Sequence, residues 1–295
     1  MAAILNRLRF FLPALLCLLL PAMGFADDKP ASAAPPKGQR VQICGHSFHI
    51  FVAPALGKIA ESAGIKDHVT VGAQMIGGST VTQHWDLPDD KNKVKTGLTA
   101  GAFDVLTLAP HMKLVPDPAI EAFTMLGLKH NPNLRVYVQQ SWMAFDDWSK
   151  PIKDNKERDQ KTIDILRPPL EVFRTGLEKQ AKEINAKAGK QVVFIVPAGE
   201  AVLALRAKVI AGEVPGITKQ SELFRDPIGH GLEPLTRLVS YCNYAAIYRT
   251  SPVGLKVFEK DGDENARKLN RMLQEIAWKA VSEGAMSGVE ADKAK

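Results

Sequence analysis

The sequence predicts an α/β domain built on a five-stranded, mainly parallel sheet that is doubly wound, with helices on both faces. Two observations carry that reading. Short runs rich in β-branched and aromatic residues alternate with stretches of helical periodicity, the order expected of βαβ units. One such run, residues 103–109 (FDVLTLA), is apolar almost without interruption, as strands are when a parallel sheet buries both of their faces. The chain has 295 residues, enough for one domain of this kind once a leader is set aside.

Residues 1–26 read as a cleavable signal peptide. Arg7 and Arg9 form a positive n-region, residues 10–20 are apolar, and Gly24 and Ala26 put small residues at the −3 and −1 positions of a cleavage site. The apolar run is short and carries Pro13, which argues against a spanning helix. The expectation is a secreted or periplasmic protein with no stable membrane insertion after cleavage. Residues 27–39 (DDKPASAAPPKGQ) hold no core-forming side chains and read as a disordered Pro/Ala-rich leader. Residues 40–288 make up a single domain, and 289–295 a polar tail.

Within the domain, residues 40–45 (RVQICG) form a buried strand with Val41 and Ile43 as its β-branched core, stopping at Gly45. The helix that follows is marked by Val52, Ala55, Leu56, Ile59 and Ala63, with Pro54 in its first turn and Gly64 where a left-handed cap belongs. A second strand spans 68–76 and runs into Gly77-Gly78-Ser79-Thr80. Residues 89–101 form a helix with Val94 and Leu98 inward, and 103–109 the third strand. Asp117-Pro118 caps a helix carrying Ile120, Phe123 and Leu126, which ends by Asn131-Pro132. Residues 135–139 (RVYVQ) are the fourth strand. Residues 145–167 are charged and aperiodic, and read as a solvated surface insertion closed by Arg167-Pro168-Pro169. A helix at 170–188, a fifth strand at 191–196 and a helix at 201–211 follow. After an irregular loop at 213–230, two amphipathic helices at 232–248 and 264–283 complete the domain.

Removing the signal peptide leaves 36 basic against 32 acidic residues, a modest and dispersed excess with no basic block. Nucleic acid is therefore not an expected partner. Cys44 and Cys242 remain after cleavage; they either pair in an oxidising compartment or are two separately buried thiols. His46, His49, His84 and His111 come without a carboxylate cluster or zinc-site spacing, so neither a metal nor a cofactor is expected.

Ligands of such sheets bind outside the carboxyl ends of the strands. The loops there offer Ser47 after the first strand, Gly78 after the second, His111 after the third, and Asp226 with His230 in the late loop. Acyl transfer from a serine needs these parts: a nucleophile, a base, an acceptor that orients the base, and donors for the oxyanion. Trp85 and Trp142, with Gln140 beside the latter, are candidates for stacking on and bonding to a sugar ring.

Taken in that order, the segments resemble the SGNH (GDSL-type) hydrolases over about residues 40–257. Gly45-His46-Ser47-Phe48 looks like the block that holds the nucleophile. Gly78 matches the glycine that lends its backbone N–H, and His230 the late histidine that serves as base, with Asp226 as its partner. Residues 242–254 (CNYAAIYRTSPVG) are similar to the closing helix of some bacterial members. Departures are His46 where the family has Asp, and Ala109-Pro110-His111-Met112 where it has Gly-x-Asn-Asp. Three residues also separate Asp226 from His230, where the family has two. The resemblance implies a flavodoxin-like three-layer sandwich and a serine esterase acting through an acyl-enzyme. In it Ser47, His230 and Asp226 are catalytic and Gly78 and His111 face the oxyanion. Its partner is a small-molecule or polysaccharide ester, with carbohydrate O-acetyl esters favoured by the tryptophans. The alternative is a non-catalytic carbohydrate- or ligand-binding protein on the same fold.

Overall fold

A computed structural model describes residues 35–259 and 262–289. The expected signal peptide, the expected leader up to residue 34 and the tail beyond Val289 lie outside the described residues.

Five strands, β1 (Arg40–Gly45), β2 (Val69–Met75), β3 (Val105–Leu108), β4 (Arg135–Gln139) and β5 (Val193–Val196), pair in parallel in the order β2-β1-β3-β4-β5. The helices are α1 (Val52–Ser62), α2 (Val81–Trp85), α3 (Lys93–Thr99), α4 (Pro118–His130), α5 (Ile163–Ala188), α6 (Ala198–Ile210), α7 (Glu233–Tyr248) and α8 (Glu264–Glu283). Val41 and Ile43 of β1 and Phe194 and Val196 of β5 join α1, α6, α7 and α8 in one apolar core. Cys44, Leu106, Leu108, Val136 and Val138 face the other way, toward α2 to α5. This is the predicted fold class, three layers with a doubly wound parallel sheet. The chain leaves β1 toward β2 and returns on the far side at β3, so the crevice between the ends of β1 and β3 is the topological switch point where ligands of such sheets bind.

The end of β1 is shaped to fit that crevice. A β-carbon on Gly45 would lie 2.7 Å from the Ala109 β-carbon, so only glycine lets the turn close onto the end of β3. Beneath the turn, His49 is fully buried, with Nδ1 2.8 Å from Gln139 Oε1 and Nε2 2.8 Å from Thr107 Oγ1. Gln139 in turn donates to the Phe48 carbonyl at 2.9 Å and accepts from Asn243 of α7 at 3.1 Å. The residues after β1 are thereby tied to β3, β4 and α7 at once.

Three expectations are corrected. First, α5 begins at Ile163 rather than residue 170 and runs through Pro168 and Pro169. The prolines deprive Asp164 and Ile165 of their helical donors, but both of those residues are exposed to water. Leu166, Leu170 and Phe173 meanwhile continue one buried stripe across the break. Second, residues 145–167 are not a solvated insertion: Asp146, Ile152 and Arg158 are buried, and residues Asn155–Gln160 form a 3₁₀ turn. Third, a short helix, α2, follows the Gly77-Gly78 turn, started by a capping box of Thr80 and Gln83. Of the two readings for the cysteines, separately buried thiols is the one observed, because Cys44 and Cys242 pack on opposite faces of the sheet.

Burial holds three imidazoles well below the ordinary value of 6.5: His46 at about 3, and His49 and His84 at about 4. In the unfolded chain all three take up protons as the pH falls through about 6.5; in the folded chain they resist until near 4. Acid therefore favours the unfolded chain across that window. We expect the unfolding free energy from urea titration to fall steadily between pH 6.5 and 4. His49→Leu, less stable at neutral pH, is expected to show a smaller loss over the same interval.

Candidate active site

Residues 46–49 form a tight turn in which the His46 carbonyl accepts from the N–H groups of His49 and Ile50, at 3.0 and 3.1 Å. Ser47 is carried on the outside of this turn, half-buried, at the carboxyl end of β1. The late loop approaches it from the start of α7. A bridge between Phe224 and Gly231 and a bond from Arg225 N–H to the His230 carbonyl (2.8 Å) pinch residues 225–230 into a small hairpin.

Inside the hairpin the Asp226 carboxylate turns back on the chain. Its Oδ1 accepts from the N–H groups of Gly229 at 3.0 Å and His230 at 3.2 Å, and its Oδ2 lies 2.7 Å from His230 Nδ1. Gly229 has φ +105°, a conformation few other residues adopt, and this lets the loop turn back so that its own N–H and that of His230 meet the Asp226 carboxylate. Partial burial pushes the Asp226 carboxyl upward, but the His230 ring and the two backbone donors outweigh it and leave the group below the ordinary carboxylate range. A carboxylate only accepts, so the neutral His230 ring carries its proton on Nδ1 and leaves Nε2 as an acceptor. That nitrogen is 2.9 Å from Ser47 Oγ, close enough to take the hydroxyl proton. The structure thus brings Ser47, His230 and Asp226, from the two ends of the domain, into one hydrogen-bonded series.

Gly78 and His111 line the same cleft, which encloses about 480 Å³. Gly78 sits at φ +61°, in a loop fixed by the buried Asp117, whose Oδ2 accepts from the first N–H groups of α2 at Val81 (2.8 Å) and Thr82 (3.2 Å). The same carboxylate caps α4. His111 Nδ1 accepts from Lys113 N–H at 3.1 Å, which puts the proton of the neutral ring on Nε2. Burial, helped by the Lys113 charge, lowers the His111 pKa and so favours that neutral form.

The three residues expected to meet substrate do not line the cleft. Trp142 is buried beneath it, stacked on Phe48 with ring centroids 4.5 Å apart, and its Nε1–H donates to the Gly229 carbonyl at 2.9 Å. Gln140 is fully buried, its backbone N–H bonded to Val196 at the end of β5. Trp85 packs against Phe123, with the Lys95 ammonium over its ring. The aromatic wall comes instead from Phe48, Phe145 and Trp148, joined by Met112, Ala144 and Ile228. Lys113 Nζ lies 3.9 Å from the centroid of the Trp148 ring. Phe145 and Trp148 were concealed by the charged run around them, although two large aromatics in an otherwise polar stretch were the available signal.

No protein-family model matches the chain, and no curated protein does. Among solved structures it is similar to a DUF4886 family protein from Bacteroides uniformis, with 14% identity, TM-score 0.54, and coverage of 84% of this chain and 95% of that one. It also matches a candidate GDSL-like lipase from Parabacteroides merdae, at 13% identity and TM-score 0.43 over 70% of this chain and 94% of that one. An acetyl xylan esterase matches at 14% identity and TM-score 0.45, over 70% of this chain and 99% of that one. The first likeness is close enough to show a shared fold, and at such identity it shows the fold alone. The chain therefore has the α/β architecture of that DUF4886 protein, with Ser47, His230 and Asp226 at its sheet edge.

Proposed function

We propose that the protein is an exported serine hydrolase that cleaves an ester through an acyl-enzyme. The single observation supporting this is the pair of short bonds in series, Asp226 to His230 at 2.7 Å and His230 to Ser47 at 2.9 Å. Ser47 Oγ attacks the ester carbonyl while His230 Nε2 takes its proton. The imidazolium so formed is stabilised by the Asp226 carboxylate on its other nitrogen. Negative charge on the former carbonyl oxygen meets the N–H groups of Ser47 and Gly78 and the Nε2–H of His111, which stands in for the asparagine of the resembling family. His230 then returns the proton to the leaving alcohol, and a water activated by the same nitrogen hydrolyses the acyl-serine. The preference for carbohydrate esters rested on Trp85 and Trp142. With Phe48, Met112, Ala144, Phe145, Trp148 and Ile228 forming one wall of the cleft, an ester with an apolar body is the better-supported substrate. A binding protein on the same fold would keep the cleft and lack turnover.

Purified protein is expected to hydrolyse a short aryl ester and to be labelled by a fluorophosphonate, with Ser47→Ala losing the label and at least about a thousandfold in kcat. Absence of both activities in the wild type would leave the binding reading. Asp226→Asn is expected to lower kcat by about a thousandfold or more, with KM little changed. His111→Ala is expected to cost about a hundredfold in kcat, and His111→Asn less, since an amide can still donate. An unchanged kcat in His111→Ala would remove His111 from the oxyanion site.

A further inference from the structure

The loop that carries the acid and the base is held from outside. Each carbonyl from Asp226 to Gly229 accepts from the segment between Trp142 and Arg158. Arg158 Nη2 donates to the Asp226 carbonyl at 3.2 Å and to the Pro227 carbonyl at 2.7 Å. Phe145 N–H donates to Ile228 at 2.9 Å, and Trp142 Nε1–H to Gly229 at 2.9 Å. These donors converge on the place where Gly229 lacks a side chain. A β-carbon there would lie 3.3 Å from Arg158 Nη2 and 3.4 Å from Trp142 Nε1.

Packing alone does not account for Arg158. The Asp146 carboxylate is already matched by Arg206, through two bonds of 2.8 Å each. Arg158 adds a second buried guanidinium to that single carboxylate. A surplus buried cation is costly unless its remaining donors are used. Those of Arg158 go to Asn155 Oδ1, at 2.9 Å from Nε, and to the two carbonyls of the loop.

On the reading of Ser47, His230 and Asp226 as the reacting groups, we infer that Arg158 and Trp142 are positioning residues for hydrolysis. They fix the backbone at 226–229 so that the carboxylate meets one ring nitrogen while the other meets the serine. Neither touches the reacting atoms. Both act through the loop, and a shift of about 1 Å there is enough to cost on the order of a hundredfold in rate.

The test compares wild type with Arg158→Gln, Arg158→Lys and Trp142→Phe, assaying 4-nitrophenyl butyrate hydrolysis with kcat expressed per fluorophosphonate-titrated serine. That normalisation removes any loss due to misfolded protein. Arg158→Gln is expected to lower kcat and the labelling rate by about tenfold to a hundredfold with KM within about twofold. Arg158→Lys, which keeps the charge, should fall in between. Trp142→Phe keeps the stacked ring and loses one donor, and a drop of several-fold is expected. Folded variants with kcat and labelling rate within about twofold of wild type overturn the inference. If the arginine variants do not fold, Trp142→Phe decides by the same readouts. A wild type that neither labels nor turns over the ester instead defeats the hydrolase reading on which this one rests.

Discussion

The bond between His230 Nδ1 and the Asp226 carboxylate is the constraint on which the cleft depends. It places the ring proton on the side away from Ser47, so the nitrogen facing the hydroxyl is an acceptor. It also sets the plane of the ring, together with Phe48, which packs against it edge-on. Asp226 can do this because its other oxygen is occupied by two backbone donors of the same hairpin. Sequence spacing is therefore translated directly into orientation: with the acid four residues before the base, the loop folds over its own carboxylate.

The serine side is held by a different kind of interaction. The turn after β1 stands on buried neutral polar groups, with His49 joined to Thr107 and Gln139, and Gln139 joined to Asn243. Such a network is directional where an apolar core is not, and it fixes the turn on which Ser47 is carried. Its cost is sensitivity to acid, since the same burial that makes the bonds specific keeps His46, His49 and His84 from accepting protons. Gly78 is placed by a third device, the Asp117 carboxylate that serves the N-termini of both α2 and α4.

β1, β3, β4 and β5 were legible because burial on both faces leaves a dense apolar signature, and β4 falls on residues 135–139 as read from the sequence. β2, at the exposed edge of the sheet, shows instead in its β-branched Val69, Thr70 and Val71. Ser47 was legible for a related reason, since parallel topology puts every strand's carboxyl end on one edge. Asp226 and His230 follow no strand, and their place just ahead of a late helix, as in the resembling family, is what singled them out. What topology does not reveal is the direction in which a side chain leaves a loop. Trp142 and Gln140 stand at the expected edge yet turn into the protein. In the segment at 145–167 charge does not mean solvent, since Asp146 and Arg158 are both buried. Asp146 finds its cations 12 and 60 residues away, and no local pattern announces a pairing at that range.

Cys44 and Cys242 lie under opposite layers of the domain. Among the described residues no cross-link has to form before Ser47 and His230 can meet. The arrangement of Ser47, His230 and Asp226 is therefore expected to be the same in reducing and in oxidising surroundings. The stability of the described domain thus comes from its packing and hydrogen bonds, with no contribution from a cross-link between these two cysteines.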